Sequence, residues 1–498
     1  MNEIITSLIH DKSEIRQLSI LKILNESNDI VTSSAIAKQL NCTNRTILND
    51  IAQLKRGIPN SWSITGVKSQ GYVLKKPITE DISTIVGSFL GNSTSFKILL
   101  GIFSGRRYKL EKWSQLLFMD KLTLKNHLVK FEKILKHFGL HFSFKTLELK
   151  GDELYIRYFF INFFYSIQKF IDHFQLATNL KKTIYNILRL HEIKVDLKIM
   201  TIIINVCMNR MSQKCYFTQK INFNYIFDDN QFECFTKIIL EIEEFFNIVL
   251  PKNERIFLYT SFFLIAEGTM EQKLKLIKLY QTSQEEFFQN HLGLCKKILQ
   301  KNEFEDEELL SEILFTLYKI HFVSSYKLYF EYCPYYKILP RNILPIYNEY
   351  YSLIVNWNNK INSSKFTESQ LGYIALNVTQ LLLPKIKKTK ILLLLSGTPV
   401  LKKNVYFQLN NGLGKDVIIF QDLINKFDYD FIITNYKIEA NDISIITISD
   451  TFNYNDIPII TISDTFNSND IFSIRQFIYN FIIKGGTGAN NEQRLQKT

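Results

Sequence analysis

The spacing of apolar residues changes character along this chain, and the change partitions it. Through residue 388 they recur mostly at helical spacing, interrupted by two short alternating stretches. From Lys390 the pattern becomes short continuous apolar runs, "KILLLLS", "DVIIF", "YDFIITN" and "ISIITIS", separated by helical ones and followed by "DIFSIRQFIYNFII". Runs of that kind suit strands buried on both faces, and hence a parallel sheet. A chain of 498 residues is too long for one core, so about three to five domains are expected.

The first helical region reads in detail. "EIRQLSILKILNES" places Ile15, Leu18, Leu21, Ile23 and Leu24 near one face. "SSAIAKQL" follows with Ser33 or Ser34 as its N-cap, then "TNRTILNDIAQLKR" with Thr43 as N-cap. "WSITGVKSQGYVLKKP" alternates around Lys68-Ser69-Gln70-Gly71 and predicts a hairpin. Three helices and a hairpin make a winged helix-turn-helix over 1–80. Its second helix needs the small Ala37 at the crossing, and its third buries Ile47, Leu48, Ile51 and Leu54. The opposite face presents Asn44, Arg45, Thr46 and Asn49, types that pair with base edges. Lys55, Arg56 and Lys68 suit phosphates. The bland alternative is a helical hairpin with an ordinary polar face.

A weaker second copy is expected over 81–157. Helices at 94–104 and 111–118 precede "DKLTLKNHLVKFEKILKHFG", and "LHFSFKTLELKGDELYIR" alternates on both sides of Lys150-Gly151-Asp152 as a second hairpin. Lys121, Thr123, Lys125, Asn126 and Lys130 face outward there, with Arg106, Arg107 and Lys109 upstream. Lysines dominate, so phosphate positioning is expected above base readout. Charge supports an anionic partner for this region. Residues 1–150 hold 22 Lys/Arg against 12 Asp/Glu, whereas the remaining 348 hold 38 against 36. AT-rich codon bias would raise lysine everywhere and does not produce that asymmetry.

Residues 158–388 read as two related helical bundles, 158–275 and 276–388, ending in "LPKNERIFLYTSFFLI" and "FTESQLGYIALNVTQLL". An α/β domain over 389–484 and a disordered tail over 485–498 complete the order. Within the α/β domain, "NDISIITISDTFNY" (441–454) is repeated as "NDIPIITISDTFNS" (455–468), identical at 12 of 14 positions. Adjacent parallel strands need a crossover of a dozen or more residues, so both copies cannot be neighbours in such a sheet. The second copy, which runs into the last helix, is expected to keep the strand.

Several classes lose support. No stretch carries the roughly 20 apolar residues of a membrane span, and the N-terminus lacks a signal-peptide pattern. Six scattered cysteines form no CxxC pair and read as free thiols of a reducing cytoplasm. The eight histidines show no metal-ligand spacing, and no GxSxG, Walker A or GxGxxG motif is present, so no metal, cofactor or catalytic residue is assigned.

In this order, the parts resemble the Mga/AtxA family of Gram-positive regulators. "IAKQLNCTNRTILNDI" is similar to that family's helix-turn-helix, "INVCMNRMSQ" with "LPKNERIFLYTSFFLI" to its first phosphotransferase-system (PTS) regulation domain, and "FTESQLGYIALNVTQLL" to the end of the second. The resemblance implies a mainly α, multidomain fold: two winged units, two helical PTS-regulation domains and a C-terminal α/β domain like the EIIB component of sugar phosphotransferase systems. It implies a cytoplasmic, homodimeric transcriptional activator on double-stranded promoter DNA. It also implies regulation-domain histidines phosphorylated by HPr or another sugar phosphotransferase protein. The usual histidine positions hold Ser261 and Asn377, leaving His191 and His321 as candidates. The loop where a cysteine-type EIIB carries its nucleophile reads "SGTPV" (396–400), and no cysteine follows Cys333, so phosphotransfer of that type lacks its nucleophile. Two other readings are a phosphorelay component and an RNA-binding antiterminator.

Overall fold

A computed structural model describes residues 3–435, except 28, 69, 172–173, 219–220, 222–227, 301–305, 329–338, 340–342, 363–364, 384–388, 414–416 and 421–428; beyond these it describes 459–461, 471, 474–475 and 477–478. The chain divides into two compact units, Met1–Thr282 with Tyr318–Glu331, and Ser283–Leu317 with Tyr332–Thr498.

The first unit opens with α1 (Glu3–Leu8), α2 (Lys12–Glu26), α3 (Ser33–Gln39), α4 (Asn44–Gly57), β1 (Ser63–Val67) and β2 (Gly71–Lys75). Thr32, not Ser33 or Ser34, caps α3, its hydroxyl accepting from Ala35 N. Of three adjacent hydroxyls, only Thr32 has the extended backbone a cap requires. β1 and β2 form the expected hairpin, antiparallel from Ser63↔Lys75 to Val67↔Gly71. Gly71 is required at its position. Its φ is 136°, and a Cβ there would lie 2.3 Å from Val31 O, where Val31 and Tyr72 form a bridge.

The winged motif then repeats with α5 (Ser83–Asn92), α6 (Thr94–Phe103), α7 (Leu110–Leu116), α8 (Lys121–His137), β3 (His141–Ser143) and β4 (Glu148–Lys150). The turn of this second hairpin falls at 144–147. Lys150-Gly151-Asp152 instead forms its exit: Asp152 caps the helix that follows, accepting from Leu154 N. Residues "ELYIR" are therefore the first turns of α9 (Glu153–Ile167), which runs across position 157. α1 packs with this second motif, against α6, α8 and α9. Ser93 Oγ donates to Leu8 O at 2.6 Å, and the His10 ring stacks on His127 at 4.1 Å.

α9 buries 11 of its 15 residues, so most of its circumference meets protein. Phe159, Phe160, Phe163 and Phe164 are each at most 1% exposed. Phe103 meets Phe160 and Phe164 at centroid distances of 4.8 and 4.7 Å, in tilted and edge geometries that favour aromatic pairs. α10 (Thr178–Leu190), α11 (Leu197–Ser212), α12 (Asp229–Phe246), α13 (Lys252–Ile265) and α14 (Met270–Thr282) follow. A buried ionic network ties α9, α11 and α13 together. The side chains of Arg157 and Glu254 are both 0% exposed. Glu254 accepts from both Arg157 terminal nitrogens and from Phe217 N, while Glu153 accepts from Arg157 Nε and bidentately from Arg210.

The second unit holds α15 (Glu286–Gln300), most of α16 (Glu307–Ser325), α17 (Leu344–Lys360) and α18 (Glu368–Leu382). Thr367 and Gln370 form a capping box at the start of α18. The predicted parallel sheet follows: β5 (Thr389–Leu394), α19 (Pro399–Leu413), β6 (Val417–Phe420), β7 (Phe431–Thr434) and β8 (Ile459–Thr461), in the order β6-β5-β7-β8, every pair parallel. Ile391, Leu393, Phe431 and Ile433 face Val405, Leu409 and Leu413 of α19. β8 comes from the second copy of the 14-residue repeat; the first copy and the tail 485–498 lie outside the described residues.

Candidate nucleic-acid interface

The two helix-turn-helix turns are built alike. α3 and α7 each have 7 residues. Each is followed by one cap residue, one left-handed residue (Asn41 and Phe118, both φ 50°), one more residue and then an N-cap. Cys42 N donates to Ala37 O and Met119 N to Ser114 O, each at 3.0 Å, closing the same helix-terminating loop. Thr43 caps α4 through Thr46 N, and Asp120 caps α8 through Thr123 N. The second copy, faint in sequence, is thus a close structural repeat of the first.

On α4, Asn44, Arg45 and Asn49 are exposed, and Arg45, Asn49, Ala52 and Arg56 follow one another along the outer face. Lys55 and Arg56 are exposed in the last turn, and Lys68 is exposed where the wing turns. Thr46 stands apart: it is half-buried and its hydroxyl is bonded to Thr43 Oγ1 at 2.8 Å, so it serves the cap. Leu48 corrects the sequence reading. It is 42% exposed, while Asp50 takes a buried position at 2%. The reason is a polar clasp from α2. Arg16 pairs with Asp50 through Nε and Nη2, Ser13 Oγ donates to Asp50 at 2.8 Å, and Gln17 donates to Gln53 at 2.6 Å. These groups tie α4 to α2, and only the placement of an acid between Asn49 and Ile51 hinted at them.

On α8, Lys125 and Asn126 are exposed. The ammonium of Lys125 lies 5.7 Å from the Phe144 ring centroid of the wing. Lys121 is exposed but ion-paired with Glu111, which lowers its availability to a phosphate. Arg106 and Arg107, with Lys150 and Arg210, line a cleft of about 220 Å³ beside the wing base.

The phosphorylation candidates differ sharply. His191 is half-buried at the end of α10. Asn230 Nδ2 donates to His191 O at 2.9 Å, which fixes that amide; its Oδ1 lies 2.7 Å from His191 Nδ1, so Nδ1 carries the proton. Nε2 faces Lys237 Nζ at 3.2 Å. His321, on α16, has its pKa pushed down to about 4 by burial. Ser261 is buried, its hydroxyl 3.3 Å from Tyr158 OH, and Asn377 accepts from Thr316 at 3.2 Å. Beside the sheet, Asn435 bonds both Ser396 N and Ser396 O, closing the loop after β5.

Among the described residues no single helix is long and apolar enough to cross a membrane. Residues 79–164 match the Mga helix-turn-helix domain, and residues 16–73 match an HTH domain. Over 154 residues the chain is 29% identical to the capsule synthesis positive regulator AcpB of Bacillus anthracis, covering 31% of this chain and 32% of that protein. It is 27% identical over 146 residues to the capsule synthesis positive regulator AcpA, covering 29% and 30%. It is 24% identical over 163 residues to the anthrax toxin expression trans-acting positive regulator, covering 33% and 34%; both are also from Bacillus anthracis. The chain thus spans about a third of the length of these curated relatives.

Proposed function

For a chain that carries an Mga helix-turn-helix domain and is homologous to positive regulators of the Mga family, we propose a cytoplasmic DNA-binding transcriptional activator that works as a homodimer. The observation that carries this reading is the paired turn geometry, which sets two helices, α4 and α8, on the solvent side of the most basic third of the chain. Asn44, Arg45 and Asn49 are assigned to base edges, and Lys55, Arg56, Lys68, Lys121, Lys125 and Asn126 to the phosphate backbone and its flanks. Residues 158–275 and 276–388 are assigned as PTS-regulation domains and 389–484 as an EIIB-like domain that pairs two chains.

Of the two histidines, His191 is the better phosphoryl acceptor. Its Nε2 faces Lys237, so a phosphoryl group there would gain a cationic neighbour. Phosphorelay through the EIIB-like domain is disfavoured by the absence of cysteine after Cys333. An RNA-binding antiterminator is disfavoured by the winged units, since such proteins use a small β module.

The test is a salt titration of the full chain on promoter-length duplexes. Steep salt dependence is expected, with affinity lost roughly 10- to 100-fold when Arg45→Ala and Asn49→Ala are combined. Affinity unchanged by both substitutions would sink the assignment. Labelling by HPr and phosphoenolpyruvate, lost in His191→Ala, tests the phosphorylation site.

A further inference from the structure

The two helix-turn-helix motifs carry exposed apolar side chains. Phe118 is 97% exposed, Leu122 66%, Val129 45% and, on α4, Leu48 42%. Phe118 is the most telling. It occupies the left-handed position of the second turn, and the equivalent position of the first turn is Asn41. Asparagine tolerates that backbone, whereas a bulky side chain there is an outlier that costs free energy. A phenylalanine thus replaces the favoured residue type and then leaves its ring in water, so folding alone does not select it. Leu122 lies in the first turn of α8, and Leu122, Asn126, Val129 and Lys133 recur along one exposed face of the helix. The surroundings are cationic: residues 106–136 hold nine Lys/Arg and three Asp/Glu. An apolar tip framed by cations complements the major groove, where phosphates flank the 5-methyl groups of thymine.

We infer that Phe118 and Leu122 in the second helix-turn-helix motif, and Leu48 in the first, contact thymine 5-methyl groups, so that the chain selects thymine-bearing sites by apolar contact. This rests on the DNA-binding reading above and adds what the lysine-rich second motif reads. A lysine contact positions the protein; a methyl contact distinguishes T·A from C·G.

The experiment uses the full chain and a duplex selected by it from a random-sequence pool, resynthesised with deoxyuridine in place of every thymine. Base pairing is kept and only the methyl groups are removed. Each buried methyl is worth roughly fourfold in affinity, so loss of at least tenfold is expected for the deoxyuridine duplex. Phe118→Ala, Leu122→Ala and Leu48→Ala alter exposed side chains and leave the core intact. Combined, they should weaken binding to the thymine duplex and bring its advantage over the deoxyuridine duplex close to one. An equal affinity of the unaltered chain for both duplexes overturns the inference, as does a thymine preference that survives the triple substitution, because the preference would then come from DNA shape. A triple variant that keeps its DNA affinity but loses association with RNA polymerase also overturns it, by assigning the tip to a protein partner. Failure to bind any duplex overturns the DNA-binding reading itself.

Discussion

Asp50→Ala tests how α4 is held. Asp50 is 2% exposed on the inner face of α4 and accepts from Arg16 and Ser13. Its removal leaves a guanidinium and a hydroxyl without their acceptor. Breaking a buried pair from one side costs about 3–5 kcal/mol. The Arg16 side chain is already 25% exposed and can turn into water, so the lower end applies, about 3 kcal/mol. Arg16→Ala costs at least as much, because the carboxylate stays buried with Ser13 alone. Arg16→Leu with Asp50→Leu removes both charges and should recover most of the loss. A chain of several domains does not unfold in two states, so the readout is hydrogen exchange of the amides of Ile47–Leu54. Protection in Asp50→Ala should fall roughly a hundredfold, the equivalent of about 3 kcal/mol. A drop below about threefold would place the clasp among solvent-screened surface pairs and refute the argument that it sets the helix.

Three further outcomes follow from the same reasoning. Glu254→Gln leaves Glu153 as the carboxylate shared by Arg157 and Arg210 and should cost about 3 kcal/mol, read as early exposure of α9 and α13 in urea-dependent exchange; a change under about 1 kcal/mol would refute it. Gly71→Ala pushes a Cβ to 2.3 Å from Val31 O at a φ of 136°; proteolysis at the first wing should become fast while cleavage within α9 stays unchanged. Burial, helped by the charges of His127 and Lys130, lowers the His10 pKa from its usual 6.5 to about 4. The folded form therefore binds fewer protons than the unfolded form between these values. His10 contributes stability above pH 6.5 that is lost as pH falls toward 4. His10→Gln should flatten the acid side of a thermal-unfolding pH series, and an unchanged slope would contradict the assignment.

The local chemistry of the first motif is legible in the sequence because its signals lie within a few residues. Thr43, the Lys68–Gly71 turn and the parallel strands β5, β6 and β7 occur where spacing places them. The misreadings have tertiary causes. Leu48 adjoins the buried stripe of α4, and only Arg16 and Ser13, 34 and 37 residues away, make Asp50 the better inner residue. Lys150-Gly151-Asp152 has the composition of a hairpin turn, yet Asp152 faces the start of a long apolar helix and caps it. The exposure of Arg45 and Asn49 on the outer face of α4 was legible. The exposed Phe118 and Leu122 were not, because apolar residues at helical spacing read as core until a solvent boundary is drawn.

The junction at α9 is short. β4 ends at Lys150 and α9 begins at Glu153, so only Gly151 and the capping Asp152 separate the wing from the helix at the centre of the aromatic core. The same junction sets where the chain can be cut. A fragment ending at the wing would lose a helix whose four phenylalanines are sealed from water, so an isolated DNA-binding fragment must carry α9 and the helices that cover it.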